Sequence, residues 1–391
     1  MNKCKHFGRC GGCSYLDIPY AQELAKKEAA LHEILGPHGS LLEGITPAPS
    51  QKGYRNKMEF AFGDEGKDGL LALGIRKRRS FYEVATVEDC ELIPNDFREI
   101  ALHVQAYFRK TSEAFFHRKR HTGNLRHLVL RRGEFTGQIL ICLSTTSNLK
   151  AELPPLITQL LELSLDGKIV GILHSINDGV ADTVKDDNVC VLWGQDHFLE
   201  RICGLDFIIS AFSFFQTNSA GAEVLYRLVR DMSACATPRL AYDLYCGTGT
   251  IAQVLSPGFE KVIGIELNPD AIKSAQENGR LNGIINCEFI AGDVLKVLEN
   301  GHDTTGNFQT AMPDIVVVDP PRNGLHPKAL TKLIALSPPN LIYVACKPES
   351  VARDMAVFIE TGYWPIRIAG VDMFPRTPHV EAVVLLRRND M

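Results

Sequence analysis

Ala241–Ala252 reads AYDLYCGTGTIA: a short apolar run, a turn carrying two glycines, and the opening of a helix. Gly247 and Gly249 permit a tight turn and leave bare backbone that a ligand can approach. The surrounding stretches keep the same rhythm. KVIGIELN, CEFIAGDVL, PDIVVVDPP and LIYVAC are short apolar strands, separated by helix-length segments such as PDAIKSAQENGRLNG. Strands alternating with helices specify a parallel sheet joined by right-handed crossovers. Residues 211–391 are therefore expected to form a doubly wound α/β domain.

Charged groups recur at the ends of these strands, where open α/β sheets bind their ligands. Glu266 closes VIGIE, about twenty residues past the glycine turn, the place of an acid that accepts the ribose hydroxyls of a nucleoside. The turn lacks the third glycine of the dinucleotide fingerprint, which disfavours NAD. Asp293 in FIAGDVL either faces an adenine or caps the next helix. Asp319 ends IVVVD and is followed by Pro320, Pro321 and Arg322. Cys346 ends LIYVAC, with Lys347 and Pro348 after it; a nearby cation and a strand end favour the reactive thiolate. Glu381 sits in HVEAVVLL, where an unpaired carboxylate is costly, so it is either paired or a base with a raised pKa.

The rest of the chain is read more coarsely. Residues 51–210 alternate strand-like runs (MEFAFG, LLALGIR, LVLRRGEF, QILICLS, GILHSIN) with turns and two helical patterns, a mixed α+β domain. Residues 1–50 hold a Cys- and Gly-rich start followed by a helix over AQELAKKEAALHEIL. Eleven cysteines in a chain without a secretion signal argue for metal binding or catalysis rather than disulfides. Cys4, Cys10 and Cys13, with Cys90 as a fourth thiol, have a spacing that permits zinc or iron–sulfur.

The net charge of −4 excludes a strongly basic nucleic-acid coat, but residues 51–150 carry 18 Lys and Arg against 12 Asp and Glu. Arg76–Arg79, Arg118–Arg120 and Arg131-Arg132 are candidate phosphate contacts, with solvated loops as the plainer reading. Tyr54, Phe60, Phe62, Phe81 and Tyr82 lie among them and suit base stacking, although each is more often core. No apolar stretch of about 18 residues is present, so no membrane span is expected. A cytoplasmic monomer is the expectation.

DLYCGTGT, GIELN and AGDVL resemble the successive cofactor motifs of class I methyltransferases. From Cys4 to Leu386 the chain resembles the RNA uracil-C5 methyltransferase family. The resemblance implies a Rossmann-like methyltransferase domain over 211–391 that takes S-adenosylmethionine. Phe214-Phe215-Gln216-Thr217-Asn218 looks like the family's F-x-Q-x-N, which makes Gln216 a cofactor contact. Tyr245, Gly247, Glu266, Asp293 and Asp319 become ligand-binding positions, Cys346 the nucleophile and Glu381 the base. C5 of uracil is a poor nucleophile, and a thiolate added at C6 makes it electron-rich enough to accept a methyl group.

C-x5-C-x2-C with a distant cysteine looks like the 4Fe–4S site of the family's iron–sulfur branch, which puts iron–sulfur ahead of zinc at Cys4, Cys10, Cys13 and Cys90. The implied product is 5-methyluridine in RNA, with 23S ribosomal RNA taken ahead of transfer RNA. Two departures stand out. The nucleophile motif usually reads S-C-N-P and is Ala345-Cys346-Lys347-Pro348 here, and the cysteine cluster begins at residue 4, so the OB-like (TRAM) domain of many relatives is expected to be missing. Two other readings compete: methyl transfer to another atom, and an inactive iron–sulfur RNA-binding protein. The first needs no cysteine, and the second does not need Cys346 and Glu381 intact.

Overall fold

The apolar runs of the C-terminal half become the strands of one eight-stranded sheet. They are β1 (Leu42–Thr46), β2 (Leu240–Leu244), β3 (Lys261–Glu266), β4 (Cys287–Ala291), β5 (Ile315–Val318), β6 (Asn340–Ala345), β7 (Tyr363–Val371) and β8 (Glu381–Arg388). This computed structural model describes residues 4–389 apart from 67–68, 182–187, 235 and 301–310. The chain divides into two units: Met1–Ile18, Ser50–Arg201 and Ile208–Ser219 form one, and Pro19–Pro49, Ile202–Phe207 and Ala220–Met391 the other. The segment 1–50, read above as one piece, is thus shared between them.

In the second unit the strand order is β1-β7-β8-β6-β5-β2-β3-β4. β2 pairs in parallel with both β3 and β5, so the order reverses there and opens a crevice at the carboxyl ends of these strands. β5 and β6 are also parallel, whereas β8 runs antiparallel to both β6 and β7. The start of β8 therefore lies at the edge where β2, β3, β5 and β6 end. Buried residues such as Val316, Val318, Leu341 and Tyr343 explain why these strands read as continuous apolar runs.

The crossover helices begin with chemistry that suits their ends. Asn268 accepts a hydrogen bond from the Asp270 amide and Pro269 opens the helix Pro269–Leu281. His326 does the same for Lys328 ahead of Pro327–Leu336. The helix Tyr20–Leu35 buries Leu31 and Leu35 in the sheet core of this unit.

A buried polar network fixes that helix. Lys27 Nζ donates to Glu23 at 2.8 Å and to Asp372 at 2.7 Å, and the Tyr20 hydroxyl donates to Asp372 at 2.7 Å. The Arg376 amide donates to Glu23 at 2.6 Å. Three buried charged groups are satisfied here by one another, by the Arg376 guanidinium 3.5 Å from Glu23, and by nearby backbone and hydroxyl groups, which ties the helix to the loop leading into β8.

The first unit holds a seven-stranded sheet of mixed direction. Lys57–Asp64 pairs antiparallel with Leu71–Arg76 and Leu125–Arg132, and Gln138–Thr145 runs parallel to Lys168–Ile176. The helices Asn95–Arg109 and Pro154–Leu161 cover it. Tyr54, Phe60 and Phe62 are buried core residues, so the stacking role considered for them does not hold; Phe81 alone of the five is largely exposed, at 67%. Arg131 and Arg132 are not phosphate contacts either. Arg131 is buried against backbone carbonyls, and Arg132 pairs with buried Asp96 at 3.0 Å. Among the described residues no helix is long and apolar enough to cross a membrane.

Candidate active site

Tyr245, immediately after β2, has φ +66°, and Gly247 and Gly249 have φ +54° and +76°. A left-handed tyrosine is strained and persists only where its surroundings over-determine it. The two glycines serve different ends. A Cβ on Gly249 would meet Phe289 Cε1 at 2.5 Å and Ala275 Cβ at 2.9 Å, so this glycine lets helix and sheet pack closely. A Cβ on Gly247 would meet nothing within 4 Å, which leaves its backbone facing open space.

Carboxylates gather round this turn. Glu266, at the end of β3, accepts from the Asn268 amide at 2.9 Å and the Gly247 amide at 3.3 Å. Asp293 accepts from the Leu295 amide at 2.9 Å and so caps the following helix. Both acids act on Tyr245, whose hydroxyl burial pushes up to about 12 with their charges adding to the effect. Asp243, wholly buried in β2, accepts from the Ala252 amide at 2.9 Å. Burial and the charges of Asp319 and Glu266 push its carboxyl up to about 8. Asp319 keeps some exposure, yet the protein excludes water from its carboxylate and pushes it up to about 7.

Cys346 and Glu381 meet at the same edge. The register Ala345↔Ala382 makes Cys346 and Glu381 the next facing pair beyond the last paired residues of β6 and β8. Glu381 is 4% exposed, and burial together with the Asp319 charge pushes it up to about 8. The half-buried Cys346 thiol is raised by burial and by the charges of Glu381 and Asp319, against a lowering by Arg322, which hydrogen-bonds to it.

The Arg322 loop is held in place from outside. The Leu325 amide donates to Asp354 at 2.9 Å, and Arg353 donates to the Asn323 carbonyl at 2.9 Å. A cavity of about 560 Å³ opens beside Cys346, with Arg322, Asn323, Lys347, His379 and the helix residue Lys27 among its lining. That volume falls in the usual range for small-ligand sites. Arg322 was visible in the sequence as the residue after Asp319-Pro-Pro, but nothing there said that it would reach the sulfur. Lys27 carried no signal at all beyond its place on an amphipathic helix.

A family model for tRNA (uracil-5-)-methyltransferase matches residues 204–389. An uncharacterized RNA methyltransferase of Clostridium tetani is 43% identical over 394 residues, spanning 99% of this chain and 84% of its own length. Another, from Porphyromonas gingivalis, is 35% identical and spans 99% of this chain and 86% of its own. The crystal structure of the Pyrococcus abyssi tRNA (uracil-54, C5)-methyltransferase with S-adenosyl-L-homocysteine superimposes with a TM-score of 0.77 at 29% identity, covering 96% of this chain and 86% of that one.

The chain belongs to the RNA uracil-C5 methyltransferase family. It is an S-adenosylmethionine-dependent enzyme that acts on RNA.

Not every expected site residue of this methyltransferase lies in the unit just described. Gln216 belongs to the stretch Ile208–Ser219 of the first unit. That stretch is clamped from both sides. Buried Arg131 donates to the carbonyls of Ser210 at 2.8 Å and Ser213 at 2.6 Å, and Asn56 donates to Ser219 Oγ at 2.6 Å. Burial pulls the Arg131 guanidinium down to about 10, the signature of a cation kept among neutral carbonyls.

Cys4, Cys10, Cys13 and Cys90 are also in the first unit, all free thiols of intermediate exposure. Burial pushes Cys13 up to about 12, with the charges of Cys90, Cys10 and Cys4 adding to it. Burial likewise raises Cys90, with Cys4 and Cys10 contributing. The thiols are thus electrostatic neighbours. Among the described residues, however, no group of three or more His, Cys, Asp or Glu is arranged to hold a metal ion. The assembled ligand set expected from the sequence is therefore not formed in this structure. Protonated thiols that repel one another once ionised have no reason to converge unless a cation gathers them.

Proposed function

We propose that the protein forms 5-methyluridine in RNA through a transient bond between Cys346 and C6 of the target uracil. The observation that carries this reading is the facing pair Cys346 and Glu381, electrostatically coupled to Asp319 and Arg322, with Cys346 and Arg322 lining the cavity. A target base lodged there would put its C5–C6 edge against the sulfur. A base inside a folded RNA hides that edge, so it must be flipped out or taken from a single-stranded loop.

Arg322 favours the thiolate of Cys346, which attacks C6 and sends the C5–C6 electron pair toward O4 as an enolate. The enolate returns electrons through C5, which takes the methyl group. Glu381, in its charged form, then removes the C5 proton; the electron pair re-forms the C5–C6 double bond and expels the sulfur as thiolate. Its high pKa suits a base that must hold a proton once it has it. S-adenosylmethionine, when bound, supplies an electrophilic methyl group on sulfonium.

The chain's own residues fit that donor. Glu266 would take the ribose hydroxyls, the open backbone at Gly247 would admit close approach, and Tyr245 and Asp293 would add contacts beside that turn, whereas Gln216 is carried over from the family motif alone. Asp319, between the two halves of the site, serves donor or target base. Cys4, Cys10, Cys13 and Cys90 supply the donor chemistry for a structural 4Fe–4S cluster, and their mutual electrostatics support that reading. The target is ribosomal RNA on the resemblance, with transfer RNA as the second reading, supported by the named substrate of the Pyrococcus relative.

Trapping on RNA that contains 5-fluorouridine tests the mechanism. Wild-type protein is expected to form a covalent adduct because fluorine cannot leave as a proton does, and Cys346→Ala is expected to form none. An adduct that survives in Cys346→Ala would refute the nucleophile. Mapping 5-methyluridine in RNA from cells lacking the gene decides between ribosomal and transfer RNA.

A further inference from the structure

The basic segments of the first unit are not equivalent once folded. In Arg76–Arg79, Arg76 donates to the Phe81 carbonyl, Lys77 pairs with Glu83 at 3.1 Å, and Arg78 donates to the Cys13 carbonyl at 3.1 Å. These charges are spent on holding the loop that carries Phe81 and Tyr82. Arg118-Lys119-Arg120 instead sits at the tip of a tight hairpin closed by the His117↔Thr122 bridge, and the run from His117 to Arg126 contains no acid.

The two loops meet. The Tyr82 ring stacks on His117, with centroids 4.2 Å apart and planes at 23°, and Phe115 lies 6.1 Å from Tyr82. Phe81 next to this stack is 67% exposed. A large exposed aromatic beside a half-buried aromatic stack, with exposed Lys119 and Arg120 on the adjoining tip, offers π-faces and cations side by side. Single-stranded nucleic acid presents that same pair of features, bases and phosphates, in regular alternation.

We propose that Phe81, Tyr82 and His117, together with Lys119 and Arg120, form an RNA-docking platform separate from the residues that carry out the reaction. The basic tip takes backbone phosphates, and Phe81 takes the face of an unpaired base. The proposal rests on the RNA methyltransferase reading. It adds which surface of the first unit grips the substrate strand.

The test measures equilibrium binding of fluorescein-labelled, single-stranded, uridine-containing RNA to the full chain over a salt series. Each phosphate contact contributes about 0.7 to the slope of log affinity against log salt for single strands. Lys119→Ala with Arg120→Ala is expected to weaken binding roughly tenfold at low salt and to reduce that slope by about 1.4. Phe81→Ala is expected to weaken binding roughly fivefold or more with the slope unchanged, and Phe81→Trp to retain wild-type affinity, because stacking carries no counterion term. Unchanged thermal midpoints confirm that each variant is folded.

If wild type and all variants bind RNA alike, with equal slopes, the platform is refuted while the enzyme reading stands. If the wild-type chain does not bind RNA, both fall. Tighter binding of the wild-type chain to phosphatidylserine-containing vesicles than to RNA would also overturn the platform, by assigning the patch to a membrane surface.

Discussion

Cys346 and Glu381 are coupled through space, and the coupling has a sign. The charged carboxylate raises the thiol, and Arg322 lowers both. Both groups must be deprotonated at their respective steps, so kcat/KM is expected to rise with pH through about 8, where Glu381 ionises. Arg322→Met removes the one cation shown to act on both and is expected to shift that limb to higher pH. A profile that keeps its position in Arg322→Met would remove the arginine from thiolate activation. Glu381→Gln is expected to form the methylated adduct and then stall, because nothing takes the C5 proton. With the carboxylate charge gone, adduct formation should also begin at lower pH than in wild type. Normal product release from Glu381→Gln, followed by mass spectrometry of the protein–RNA species, would exclude it as the base.

Single elements in this fold are held by contacts that a sequence pattern cannot display. The helix Tyr20–Leu35 is joined to the loop before β8 by Lys27, Glu23 and Asp372, and the loop leads directly to Glu381. Lys27→Met removes the cation shared by buried Glu23 and Asp372, leaving Glu23 only the longer contact to Arg376 at 3.5 Å, and breaking a buried pair this way costs about 3–5 kcal/mol. Urea unfolding should show that loss, whereas Arg227→Ala, on an exposed pair with Glu223, should change stability by less than about 0.5 kcal/mol. A Lys27→Met protein as stable as wild type would mean the network is dispensable. The glycine turn makes a second case. Gly249→Ala adds a methyl 2.5 Å from Phe289 at a φ of +76°, and a loss above about 2 kcal/mol is expected. Gly247→Ala adds only the cost of its left-handed backbone, and its stability should fall less than its affinity for S-adenosylhomocysteine, read by calorimetry.

Taken whole, the molecule stores three acids above their ordinary range in one unit: Asp243, Asp319 and Glu381. A carboxyl whose folded pKa is raised contributes stability that is complete below its unfolded pKa near 4 and is lost as pH rises through the folded value. From about pH 6 to 9 the thermal midpoint of the ligand-free protein should therefore fall, and Asp243→Asn should flatten the fall. A midpoint that rises over this range would contradict the burial of these groups. The four cysteines of the other unit make a separate prediction. Protein purified without oxygen should contain iron and sulfide and absorb broadly near about 400 nm, and removing the iron should lower its stability. A colourless protein with stoichiometric zinc would assign the thiols to zinc.

Much of this was legible in one dimension because strand ends are punctuated by chemistry. Apolar runs of four to six residues broken by Gly247, Glu266, Asp319 and Cys346 specify a parallel sheet and mark its ligand-binding edge, and both follow from local residue types alone. Which of several plausible charges does the work is not local. Arg131 and Arg118 look alike in sequence, yet one is buried under three carbonyls and the other sits on a hairpin tip. Tyr54 and Phe81 differ only in which side of a strand or loop the fold presents to water. The pairing of Cys346 with Glu381 needs the antiparallel return of β8, and the presence of Lys27 beside that cavity needs a helix more than three hundred residues away to pack on the same sheet. Periodicity and strand-end residues determine the sheet and its active edge; long-range packing alone selects the arginine, the lysine and the aromatic faces, because burial is a property of the assembled core and not of any stretch of chain.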